Sequence, residues 1–246
     1  MAGTMRILVV NPNTTQSMTR KIGAAARAVA SSGVEILAVN PEFGPPSIEG
    51  YYDEVFCVPG IIAEIARAGD VDATIIACFD DTGLDAARSF SPAPVIGIGE
   101  AAFHFASLLA SRFSVVTTLA RSIAAIEHNL VKYGLASRCA RVRASDVAVL
   151  DLEKPGSDAR DRIEREIKLA LRDDGAEAIV LGCAGMTDLA SDLSRMAGAP
   201  VLDGVGCAVM LAEGLARLGL RTSKVNAYAA PGAKTYTGAF ERYSPR

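Results

Sequence analysis

Residues 73–84 read Ala73-Thr-Ile-Ile-Ala-Cys-Phe-Asp-Asp-Thr-Gly-Leu84, and 105 positions further on comes Ala178-Ile-Val-Leu-Gly-Cys-Ala-Gly-Met186. Each is a short apolar run closed by a cysteine and a turn. Apolar runs of this length, without polar alternation, are how strands covered on both faces read. The pair is not isolated. Arg6-Ile-Leu-Val-Val-Asn11 aligns with Arg112-Phe-Ser-Val-Val-Thr117 at an offset of 106, and Pro94-Val-Ile-Gly-Ile98 with Pro200-Val-Leu-Asp-Gly204 at 106. Three segments in one order, at a spacing constant to within one residue, predict an internal duplication.

Working outward, strand signals fall at Ile7–Val10, Val34–Val39, Thr74–Ala77, Val95–Ile98, Phe113–Thr117, Ala140–Arg143, Ala178–Leu181 and Val201–Leu202. Stretches at helical spacing, such as Ile163, Ile167 and Ala170, separate most of them. Alternating strands and helices predict an α/β fold, here two pseudo-symmetric doubly wound parallel-sheet domains of four strands each, with chemistry at the carboxyl ends of the strands. The expected division is 1–98 plus 208–246 for the first domain and 99–207 for the second, with the helix from Ala208 to Leu218 crossing back onto the first. Two long connections, Pro41 to Asp53 and Asp146 to Ser157, follow the second strand of each copy. Loops of that length often cover a site, with an irregular surface loop or a subunit contact as the plainer alternatives.

Composition narrows the function classes. In 246 residues, 50% are hydrophobic, which is ample for a buried core, and the net charge is -3 with both signs interspersed. That pattern offers no basic stripe for nucleic acid and no polybasic membrane patch. No apolar run approaches the ~18 residues of a membrane span, and the expectation is a soluble, cytoplasmic protein acting on a small molecule. Five cysteines without a CxxC spacing, and two distant histidines, argue against disulfides and against a metal site.

Cys78 and Cys183 occupy matching places, each at the end of an apolar strand before a turn into a helix. Free N–H groups and the helix dipole there predict a thiol acidified below its reference of ~8.5. A pseudo-two-fold axis would set one sulfur on each side of a shared cleft. Such a pair suits inversion of a stereocentre beside a carbonyl, where one thiolate removes a proton and the opposite thiol delivers one. Backbone N–H groups of the turns at Phe79, Asp80, Ala184 and Gly185 would hold the substrate and its developing enolate. Asn13, Thr117 and Thr118, at neighbouring strand ends, are further candidate substrate contacts, with helix capping as the plain alternative. Asp80 and Asp81 either cap the helix after Cys78 or orient a substrate N–H. Cys57, Cys139 and Cys207 lack a partner and read as core residues. The scheme needs no metal and no cofactor.

These motifs, together with Asn11-Pro-Asn-Thr14, Ser47-Ile-Glu-Gly50 and Phe113-Ser-Val-Val-Thr-Thr118, resemble the aspartate/glutamate/hydantoin racemase superfamily, in particular its hydantoin racemases. The resemblance runs from residue 6 to about 230. It implies two α/β domains, a cofactor-free two-base mechanism with Cys78 and Cys183 as the pair, homo-oligomers, and 5-monosubstituted hydantoins as substrates. Cys183 is followed by Ala184 and Gly185, where amino-acid racemases carry Thr and then His or Glu, which disfavours a dicarboxylate substrate. Rival readings are an allantoin racemase, a decarboxylase or cis–trans isomerase on the same scaffold, a two-lobed binding protein, and a dithiol redox protein.

Overall fold

The computed structural model describes residues 4–245. Strands β1 (Met5–Val10), β2 (Val34–Val39), β3 (Ala73–Ile76) and β4 (Val95–Gly97) form one sheet. Strands β5 (Phe113–Thr117), β6 (Cys139–Ala144), β7 (Ala178–Gly182) and β8 (Val201–Leu202) form a second. Every pairing is parallel, and the orders β2-β1-β3-β4 and β6-β5-β7-β8 are the same topology written twice. All eight expected strands are present, with ends within two residues of the expected ones.

Helices α1 (Gln16–Val29), α2 (Tyr51–Ala68), α3 (Leu84–Phe90) and α4 (Ile98–Leu109) alternate with the first four strands. Helices α5 (Ile123–Lys132), α6 (Ala159–Asp173), α7 (Ala190–Ala197) and α8 (Gly204–Arg217) alternate with the second four. The amphipathic spacing of α6 buries Ala159, Ile163, Ile167 and Ala170 against the sheet. Because parallel strands are sealed on both faces, β1, β3, β5 and β7 are buried along most or all of their length.

The last helix of each copy packs across the centre. α8 lies on α1, β3 and β4, whereas α4 lies on β7, α5 and α8. The helix expected from Ala208 begins four residues earlier, because the Asp203 carboxylate accepts the Gly206 N–H at 2.9 Å and caps it. Gly204 lets α4 and α8 start against each other, since a Cβ there would lie 2.5 Å from the Ile98 carbonyl oxygen. Beside this crossing Phe103 is fully buried, edge-on to Phe79 at 5.3 Å and stacked on Phe113 at 6.0 Å. One core cluster therefore runs through both sheets. α2 starts at Tyr51, so the first long connection is shorter than expected, and the second is partly coiled into a 3-10 helix, Val149–Glu153. No helix among the described residues is long and apolar enough to cross a membrane.

Candidate active site

β3 and β7 are the inner strands of their sheets, and both run out at a cysteine. Cys78 and Cys183 line one cavity, which holds about 410 Å³ of empty space, part of it open to solvent. Asn13, Phe79, Asp80, Thr118 and Ala184 line it as well. Thr117 and Gly185 lie one layer back. The Thr117 hydroxyl is buried and donates to the Gly182 carbonyl at 3.0 Å, because the absent side chain of Gly182 lets Thr117 press against it. Gly185 stands beside Cys183, where a Cβ would lie 3.6 Å from the sulfur.

The two turns are built alike. In each, the N–H of the residue two positions after the cysteine, Asp80 for Cys78 and Gly185 for Cys183, favours the thiolate. Each turn is also held from the other half of the chain. Asn129 on α5 donates to the Asp80 carbonyl at 2.7 Å, and Lys21 on α1 donates to the Gly185 carbonyl at 2.8 Å while pairing with Asp188. The Thr82 hydroxyl approaches Cys78 Sγ at 3.6 Å.

These donors do not acidify the thiols, contrary to expectation. Burial pushes Cys78 well above the ordinary thiol range and Cys183 up to about 11. The Asp80 carboxylate adds to both shifts, and the Thr82 hydroxyl, the turn N–H groups and Lys21 oppose them only in part. Desolvation of a thiolate outweighs one or two N–H dipoles when the strongest charged influence on it is a carboxylate. Asp80 is itself raised to about 7 by burial and by the nearby Glu54 and Asp81, against a hydrogen bond from Ser122. Among the described lining residues it is the one carboxylate, and no lining residue is cationic.

Neither aspartate caps the helix after Cys78; Gly83 occupies that position. Asp81, in a left-handed conformation with φ 51°, instead caps α4. It accepts from the Gly99 and Glu100 N–H groups at 2.9 and 2.8 Å and from the Tyr133 hydroxyl at 2.8 Å. Asn13 does take a turn-forming role, accepting the Thr15 N–H at 2.9 Å and the Asn11 amide at 2.9 Å. Its own amide meets only the Met18 sulfur at 3.2 Å, a weak acceptor, and so remains available to a ligand.

Among the lining residues that escaped the sequence reading are Ser122, Met18, Ile48 and Val149. Ser122 belongs to the segment after β5 that matches the Asn11–Gln16 stretch after β1, so the repeat carried a signal for it. Ile48 and Val149 lie in the two long connections, where no periodicity marks direction. Cys57, Cys139 and Cys207 lie outside the cavity lining; Cys57 and Cys207 are buried and Cys139 is half-buried.

Comparison with known proteins places this arrangement. The pattern of the Asp/Glu/Hydantoin racemase family matches residues 7–212. The chain is 48% identical over 236 residues to a hydantoin racemase of Rhizobium meliloti, covering 95% of this chain and 98% of that one. It is 45% identical over 241 residues to a hydantoin racemase of Pseudomonas sp. (strain NS671), covering 97% of each. Among solved structures, the allantoin racemase from Klebsiella pneumoniae superposes with a TM-score of 0.95 at 47% identity, covering 98% of this chain and all of that one.

Proposed function

From the premise that this chain belongs to the Asp/Glu/hydantoin racemase family and is a racemase, we propose that its substrates are 5-monosubstituted hydantoins. Proton transfer at ring C5 then runs between Cys78 and Cys183. The observation that carries this reading is the placement of both thiols, from equivalent strand ends of two sheets, in the lining of one cavity.

A thiolate on one side removes the C5 proton, the electrons pass into the adjacent carbonyl as an enolate, and the opposite thiol returns a proton to the other face. The roles exchange for the other enantiomer. No group outside the chain is required in this scheme. The elevated thiol pKa values fit a base that must take a proton from a weakly acidic carbon: a more basic thiolate drives the transfer, and its scarcity at neutral pH is the compensating cost. Charge building on the enolate oxygen needs donors, and the cavity presents the Asn13 amide beside the two turns. Removing one such donor elsewhere costs about 3 kcal/mol of transition-state stabilisation.

Asp80 accounts for the substrate class. A carboxylate in a cleft whose lining lacks a cation repels a dicarboxylate such as glutamate and accepts the N–H of a neutral ring. Allantoin is such a ring as well, and the 47% identity to a solved allantoin racemase keeps it as the second reading. A homo-oligomer is also proposed, supported by the exposed apolar face that Tyr51, Tyr52, Val55 and Phe56 form at the start of α2.

The test is optical. Single enantiomers of 5-benzylhydantoin, allantoin and glutamate are incubated in deuterated buffer, and the decay of circular dichroism and deuterium uptake at the stereocentre are followed. Fast loss of both benzylhydantoin signals, with glutamate untouched, is expected. Preferred turnover of allantoin selects the second reading; absence of exchange in every substrate excludes both.

A further inference from the structure

The two long connections meet above the cavity. The first contributes Ile48, packed in the cluster that borders Cys78; the second contributes Val149, packed in a cluster that borders Cys183. They are joined directly. Glu49, next in sequence to Ile48, accepts the backbone N–H of Val149 on its carboxylate at 2.9 Å. Glu49 is itself steadied by its own N–H, which donates to the Asp53 carboxylate at 2.9 Å. Both connections are also tied to the strand ends below: the Thr15 hydroxyl donates to the Pro46 carbonyl at 2.7 Å, and the Ser145 hydroxyl to the Thr117 carbonyl at 3.1 Å.

We infer that Ile48 and Val149, held at a set separation by the Glu49 clasp, gauge the size of the substituent on the substrate's stereocentre. The inference rests on the ring-racemase reading and adds which residues set the limit. The thiols have to bracket the stereocentre, and the polar lining groups at the strand ends match the ring's N–H and carbonyl edges. The substituent then points out of the ring, toward the covering connections. The Phe79 side chain is committed to the aromatic cluster with Phe103, and Met18 is engaged by Asn13. Of the other apolar lining residues, Pro12, Ala77 and Ala184 are small and belong to the strand ends, so the apolar walls that the covering connections contribute are the two β-branched side chains, buried at 8% and 4% exposure. β-Branched residues have few rotamers and cannot swing aside, and Glu49 prevents the two connections from spreading. Glu49 is a positioning residue; Ile48 and Val149 are the wall itself.

The experiment compares kcat/KM for 5-methyl- and 5-benzylhydantoin, with allantoin in parallel, in the wild type and in Ile48→Ala, Val149→Ala, Glu49→Ala and Glu49→Gln. Removing two or three wall carbons is expected to raise the benzyl-to-methyl ratio about tenfold or more, the scale on which an apolar pocket senses a methylene. Glu49→Ala should shift the ratio in the same direction, while Glu49→Gln, which keeps an acceptor for Val149, should leave it near the wild-type value. A ratio unchanged within twofold in both wall variants overturns the gauge while the hydantoin reading stands. A wild type inert toward every hydantoin overturns that reading instead. Should the alanine variants fail to fold, Ile48→Val and Val149→Leu serve: the first is expected to raise the ratio, the second to lower it, and no change in either is again fatal to the gauge.

Discussion

The side-chain amide of Asn129 donates to the carbonyl of Asp80 at 2.7 Å, so a helix of the second half of the chain holds the turn that carries the first half's thiol. Lys21 and the Gly185 carbonyl make the reciprocal bond at 2.8 Å. Each cysteine is thus aimed by the opposite copy, and the relative placement of the two sulfurs is stiffer than either strand end alone would make it.

Loss of that aim should cost rate before it costs stability. Asn129→Ala is expected to lower kcat about ten- to hundredfold, the scale for a misplaced reacting group, with KM changed less than kcat. Steady-state polarimetry beside thermal unfolding separates the two effects. Equal losses in kcat and in melting temperature would mark Asn129 as merely structural.

Removing either sulfur should end racemisation. Cys78→Ala and Cys183→Ala are each expected to fall by at least about 10²–10⁴-fold, the usual worth of a general acid or base, with unchanged far-ultraviolet dichroism. Cys78→Ser and Cys183→Ser should still wash deuterium into a substrate enantiomer, and the two variants should prefer opposite hands. Nuclear magnetic resonance of the C5 proton reads this, and full racemisation in either alanine variant would refute the two-base scheme.

Asp80 couples activity and stability to pH. Its pKa rises from an ordinary 3.8 to about 7, chiefly by burial. Between those values the folded chain retains a proton that the unfolded chain has lost, so this group's contribution to stability falls as pH rises through that window. Asp80→Asn removes the effect. The variant should melt a few degrees higher than the wild type at pH 8, and the difference should shrink toward zero below pH 4. Its negative charge also raises both thiols, so in Asp80→Asn the pH at which Cys78 and Cys183 become reactive to iodoacetamide should move downward.

The crossing of α4 and α8 is tight enough to test by one methyl group. A Cβ at position 204 would sit 2.5 Å from the Ile98 carbonyl oxygen and 2.9 Å from the Ile98 Cβ. Neither neighbour is the flexible end of a side chain, so Gly204→Ala should cost about 1–3 kcal/mol through backbone displacement. Denaturant unfolding measures this directly, and a variant as stable as the wild type would show that the crossing has slack.

The fold was nearly complete in the linear pattern. Eight apolar runs, one repeat offset and the alternation with amphipathic stretches suffice for two parallel four-stranded sheets, because a strand sealed on both faces must be apolar throughout and a surface helix must not be. Both thiols were legible for the same reason: the end of an inner parallel strand opens toward the cleft whatever the neighbouring chain does. What failed were inferences about side chains whose partners are distant in sequence. Thr117 and Gly185 sit one layer behind the cavity, and Asp81 serves a helix that begins seventeen residues later, at Ile98, through contacts that local spacing does not encode.

The sequence by itself determined the topology, the duplication and the identity of the two matched cysteines, since all three follow from periodicity and from position along a strand. Only the tertiary structure decided how those sulfurs ionise and how the two long connections are joined. A pKa is a sum over every buried neighbour in three dimensions, and here the desolvation and Asp80 outweigh the helix-end donors that the sequence advertises. The joining of the two long connections is likewise a product of the third dimension, because Ile48 and Val149 line one cavity while the Glu49 carboxylate accepts a backbone N–H a hundred residues away.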